Sequence, residues 1–136
     1  MVEKVLSLED FKKKKDAIQD YVMSISDSVK RILYLVPEGF IVATNTHIVI
    51  SLEEEWVGKK SVSHLNELAH SMWIIYQYNM WMVEFDDGLE ALISNFCMIE
   101  DAIKKRGGEP VQGTLLSDEF KDMMAEFRRS RLRSIP

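Results

Sequence analysis

Apolar positions recur along this chain mainly at helical spacing, with one interval rich in β-branched and aromatic residues. Phe11, Ile18, Tyr21, Val22, Ile25 and Val29 recur at helical spacing after a capping-box-like start, Ser7 to Asp10, and predict a helix from about Leu8 to Ile25. Ser26-Asp27-Ser28 is read as its end. Arg31–Val36, Phe40–Thr44 and His47–Ser51 are short β-branched and aromatic runs, bounded by Pro37-Glu-Gly39 and by Asn45-Thr46. They predict an antiparallel sheet of about three strands over Arg31–Leu52, the last two forming a hairpin. Thr46 resists positive φ, so the connecting loop is expected to exceed two residues.

Helical spacing then returns. Ser63 is a candidate N-cap, and Leu65, Leu68, Met72, Ile75, Asn79 and Met82 make one stripe. Ala69, Trp73, Tyr76, Met80 and Val83 make a second beside it. Within Met72–Phe85 only Gln77, Asn79 and Glu84 interrupt the apolar run, so a long central helix is expected to be apolar on nearly every side. Asp87 and Glu90 repeat the capping-box spacing before Leu89, Leu92, Ile93, Phe96, Ile99 and Ile103. Lys104-Lys-Arg106 and Gly107-Gly108 close that helix. Glu109–Thr114 reads as a loop, and Ser117-Asp-Glu opens a last helix with Phe120, Met123, Met124 and Phe127 on its apolar face. Residues from about 130 to 136 read as a loose tail. The class is therefore α+β: an N-terminal helix, a small sheet, then three helices, with the aromatic helix against the sheet.

Composition narrows this frame. The 136 residues make one domain able to bury a core unaided. Hydrophobic residues at 46% and charged residues at 29% are those of a folded globular chain. The formal charge of −5 argues against a surface that tracks phosphates as a whole. Cys97 is the sole cysteine, so an internal disulfide is excluded. The first residues lack a basic flank followed by a signal-length apolar stretch, and Met72–Phe85 is shorter than the roughly 20 residues of a bilayer span. No Lys or Arg lies between Val62 and Lys104 to favour an interfacial helix. A cytoplasmic protein without membrane association is expected.

Chemistry-bearing patterns are sparse. His64-x-x-Glu67-x-x-His70 lies on one helical face, but it lacks the i, i+4 histidine spacing of a zinc helix and has no second Glu-x-x-His. Cys97 sits among Phe96, Met98 and Ile99, which raise a thiol pKa. His47 opens a predicted strand without an acid placed to orient it. No glycine-rich loop opens a helix. No catalytic residue, metal or cofactor is assigned.

The aromatic surplus carries the functional expectation. A domain of so few elements seldom surrounds one helix fully, and Trp, Tyr and Met are favoured contact residues. Trp73, Tyr76, Met80 and Trp81 are thus expected to meet a partner or a second copy of the chain. Asp86, Asp87 and Glu90 tune the approach of a basic surface. The expected protein is a non-enzymatic, homodimeric interaction module, an accessory factor, inhibitor or immunity-type antagonist of another protein. The alternative is a nucleic-acid-associated regulator that grips phosphates with Arg128, Arg129, Arg131 and Arg133.

Overall fold

The computed structural model describes residues 27–44, 46–83 and 87–133. Helix α1 is described over residues 27–35, followed by a 3-10 turn at Glu38–Phe40. Strands β1 (Ile41–Ala43) and β2 (Ile48–Ile50) form an antiparallel hairpin that pairs Ile41 with Ile50 and Ala43 with Ile48. Helices α2 (Glu54–Gly58), α3 (Val62–Gln77), α4 (Gly88–Lys105), α5 (Gln112–Leu115) and α6 (Asp118–Arg133) complete the chain. The α+β class holds. The helix expected over Leu8–Ile25, Asp86 and the end of the tail, 134–136, lie outside the described residues.

Several elements differ from the sequence expectation. α2 and α5 are short added helices, α5 mostly within the stretch expected as a loop, and α6 runs to Arg133 where a loose tail was expected from about 130. Two larger departures follow. Residues 31–35 are helical and not a strand, and Asp27 and Ser28 already belong to that helix. Ser28, Ile32 and Leu35 are buried at helical spacing, while Leu33 and Tyr34 are 59% and 89% exposed. A strand would have hidden alternate residues; one helical stripe facing the core decided the conformation. The sheet accordingly has two strands among the described residues, and the position of its third member is taken from elsewhere. Trp81 forms an isolated parallel bridge with Ile48, through Ile48 N–H to Met80 O (2.8 Å) and Met82 N–H to Ile48 O (2.9 Å).

The central helix also differs. α4, with its uninterrupted stripe, packs against α2, α3, α6 and β2, whereas α3 lies against α4 and α5. Asn95 of α4 fixes the sheet: its Nδ2 donates to Ile50 O (2.7 Å), and its Oδ1 accepts from Leu52 N–H (3.0 Å). Ser61, rather than Ser63, caps α3 by accepting from His64 N–H at 3.1 Å. Ser117 caps α6 as expected, accepting from Phe120 N–H at 3.2 Å. α4 ends as its sequence predicts. Gly107 adopts φ +75°, while Gly107 N–H and Gly108 N–H return to Lys104 O and Ile103 O, both at 3.0 Å. No helix among the described residues is long and apolar enough to cross a membrane.

Candidate partner-binding surface

The aromatic segment is divided by a stop at Asn79. Tyr78 leaves the helix and Asn79 takes φ 60°, a left-handed conformation that asparagine tolerates better than most side chains. Asn79 N–H bonds Tyr76 O (3.1 Å) and Met80 N–H bonds Ile75 O (3.0 Å), the paired reverse bonds of a Schellman ending. The expected long helix thus ends at Gln77, and Met80–Met82 runs extended beside β2.

This break sends the two halves of the surplus into different parts of the core. Trp73 is 4% exposed and packs edge-on against Phe120 (ring centroids 5.2 Å) and Phe96 (6.3 Å), at the junction of α3, α4 and α6. Trp81 is 1% exposed between the sheet and the start of α4, and its indole Nε1–H donates to Gly88 O at 2.7 Å. Both tryptophans are therefore covered by the chain itself and leave little surface to offer. Tyr76, half-buried, leans on Trp73 (5.5 Å) and Phe120 (5.7 Å), and Met80 is also half-buried.

What remains open is a groove of about 890 Å³ where α3 ends. Tyr76, Met82, Val83 and Leu89 make its apolar walls over Trp81, and His47, Thr44, Gln77 and Asn79 its polar rim. Val83 is 49% exposed. Sequence reasoning placed Met82, Val83 and Leu89 on helical stripes and did not bring them together; only the turn at Asn79 and the return of the chain do so. The ring Nδ1 of His47 lies 2.7 Å from Thr46 Oγ1.

Asp87 and Glu90 are exposed and line a smaller recess of about 520 Å³ with Ser51 and Ser94. Asp87 occupies the N-cap position of α4 without a side-chain capping bond. Arg131 lines the same recess and offsets part of this negative charge.

The arginines at the chain's end are largely engaged. Arg128 donates to both carboxylate oxygens of Asp101 (2.9 and 3.0 Å) and to Glu100 (3.0 Å), and Arg129 pairs with Glu126 at 2.8 Å. Arg131 lies over the Phe127 ring, 5.5 Å from its centre. The Arg133 side chain lies outside the described residues.

The groups considered for chemistry hold structural positions. His64 Nε2 donates to Leu35 O (2.9 Å) and its ring meets Trp56 edge-on at 5.8 Å, which ties α1 to α2 and α3. Glu67 faces Arg31 at 4.0 Å, and His70 is exposed. Burial pushes the Cys97 thiol up to about 11, with Arg128 opposing it and Asp101 and Glu100 adding to it. Among the described residues, no three His, Cys, Asp or Glu side chains are grouped to hold a metal. No family model, curated protein or solved structure matches the chain.

Proposed function

We propose that this protein is a non-enzymatic contact module. It self-associates and acts as an accessory factor, inhibitor or immunity-type antagonist of another protein in the cytoplasm. The observation that carries this reading is the groove at the end of α3, with apolar walls from Tyr76, Met82, Val83 and Leu89; the residue after Leu89, Glu90, edges a separate recess with Asp87 and Arg131. An apolar centre with an acidic flank suits a partner surface that is apolar at its middle and basic at its edge. Trp81 forms the rigid base of this surface, Met82 supplies an adaptable contact, and Trp73 supports it indirectly by packing against Tyr76.

The occupation of His64 by a backbone carbonyl and the protonated state of Cys97 favour contact over catalysis, since neither group is poised as a base or nucleophile. The test is the solution mass by light scattering across a concentration series. The wild type is expected to reach twice its chain mass, and Val83→Asp, which places a charge on the groove wall without touching the core, is expected to stay at single-chain mass. A wild type that remains monomeric at every concentration removes self-association from the proposal.

A further inference from the structure

A second cavity, sharing no lining residue with the groove, lies between α2, α4 and α6 and encloses about 820 Å³. That size falls within the range of small-molecule sites. Its walls include Val57, Met98 and Phe127, and Leu132 at the end of α6 is 69% exposed beside it. Four cationic side chains, Lys105, Arg106, Arg128 and Arg131, line it against two carboxylates, Glu54 and Asp101. A chain whose formal charge is −5 thus concentrates positive charge in one concavity.

Arg131 lies over the Phe127 ring, and the partners of the other three cations show where that charge is available. Arg128 is matched by Asp101 and Glu100. Arg106 donates to the Gly58 backbone carbonyl, a neutral acceptor, and among the described residues no carboxylate lies within ion-pair distance of it. Lys105 is exposed, and among the described residues no carboxylate lies within ion-pair distance of it. Lys105 in the last turn of α4 and Arg106 at its C-cap can answer the helix dipole, yet that role needs neither an adjoining apolar wall nor a cavity. Cations beside apolar walls match a ligand that carries both properties.

We propose that this cleft binds a small amphipathic anion, an aliphatic chain ending in a carboxylate or phosphate. The head meets Lys105 and Arg106, and the chain lies along Val57, Met98 and Phe127. Titration calorimetry on the full chain, with dodecanoate and dodecyl phosphate below their micelle concentrations, tests this directly. Both are expected to bind saturably with one molecule per chain. Dodecyl maltoside, which has the same chain but a neutral head and so no charge-assisted hydrogen bond, and inorganic phosphate, which keeps the charge but has no chain to cover the apolar wall, are each expected to bind at least about tenfold more weakly.

The double variant Lys105→Gln/Arg106→Gln should lose about tenfold or more in affinity for the anionic amphiphiles on the same basis, with an unchanged circular dichroism spectrum. If that variant fails to fold, Lys105→Gln alone carries the same comparison. Equal binding of the maltoside, equal binding of bare phosphate, uptake of many molecules per chain, or unchanged affinity in the folded variant each overturns the proposal.

Discussion

Asn95 shows how one polar residue can organise a small core. It is 1% exposed, and its amide satisfies a carbonyl and an N–H at the end of β2, at Ile50 and Leu52, groups that would otherwise be buried beside α4. Replacing it with leucine removes both bonds and strands both backbone groups. The expected loss is about 2–4 kcal/mol, from two unsatisfied groups at roughly 1–3 kcal/mol each with partial relaxation, read from the midpoint of urea unfolding. The helix around it was legible, because Leu92, Phe96 and Ile99 set its stripe. Asn95 itself was not, because its partners are more than forty residues away and no local pattern reports them. Cys97 behaves as its neighbours suggest. Its thiol rises from 9.0 to about 11 mainly through burial, so the folded protein holds this proton more tightly than the unfolded chain does. The stability this contributes is complete below pH 9 and is lost as pH rises through about 11. Unfolding midpoints measured across that interval should fall in the wild type and fall less in Cys97→Ala. At pH 8 the native thiol should react with a disulfide reagent far more slowly than the denatured chain.

At the scale of elements, residues 31–35 became helical because local propensity was outweighed by the face that tertiary packing selects. Arg31-Ile-Leu-Tyr-Leu-Val carries β-forming residues, but Ile32 and Leu35 extend the i, i+4 and i+3 spacing from Ser28, and the core takes that stripe. The end of α3 was hidden for a different reason. Helical spacing continues through Val83, and the stop is made by Asn79, where neither glycine nor proline marks it. Asparagine enters the left-handed region at lower cost than other side chains, although glycine enters it more freely. Asn79→Gly should therefore leave the fold intact and stabilise it by up to about 1 kcal/mol. Asn79→Val, with a branched Cβ at φ 60°, should cost about 1–2 kcal/mol. Thermal melts of the pair give the check. A destabilised glycine variant would mean that the asparagine side chain holds the turn by bonds of its own. The hairpin, the end of α4 and the start of α6 were readable because their signals are local: an asparagine-containing spacer, a Gly-Gly pair after cations, and a serine before acids.

At the scale of the whole molecule, the aromatic surplus is resolved by division rather than by a partner alone. One continuous helix over Met72–Phe85 would have needed covering on every side. The turn at Asn79 gives Trp73 to the α3–α4–α6 junction and Trp81 to the space between the sheet and α4, leaving Tyr76, Met82, Val83 and Leu89 as the open remainder. Charge is divided in a similar way. The arginine-rich end of α6 reads in sequence as a phosphate grip, yet Arg128 is turned onto α4, where Asp101 and Glu100 receive it, and Arg129 is held by Glu126. A phosphate would have to displace these carboxylates, and a net charge of −5 repels the rest of a polyanion. Fluorescence anisotropy with a labelled duplex should accordingly show binding no tighter than about 10⁻⁴ M at physiological salt, the weak end of non-specific affinity. A much tighter, steeply salt-dependent complex, abolished by truncation after Phe127, would instead establish the nucleic-acid reading. Arg128→Ala separates the internal role from the external one. The guanidinium is two-thirds covered and meets two carboxylates, so its removal should lower folding stability by about 1 kcal/mol, the upper end for a screened ion pair, and more at low salt than at high salt. With this residue committed to joining α6 to α4, the substitution should change urea unfolding while leaving the weak duplex signal where it was.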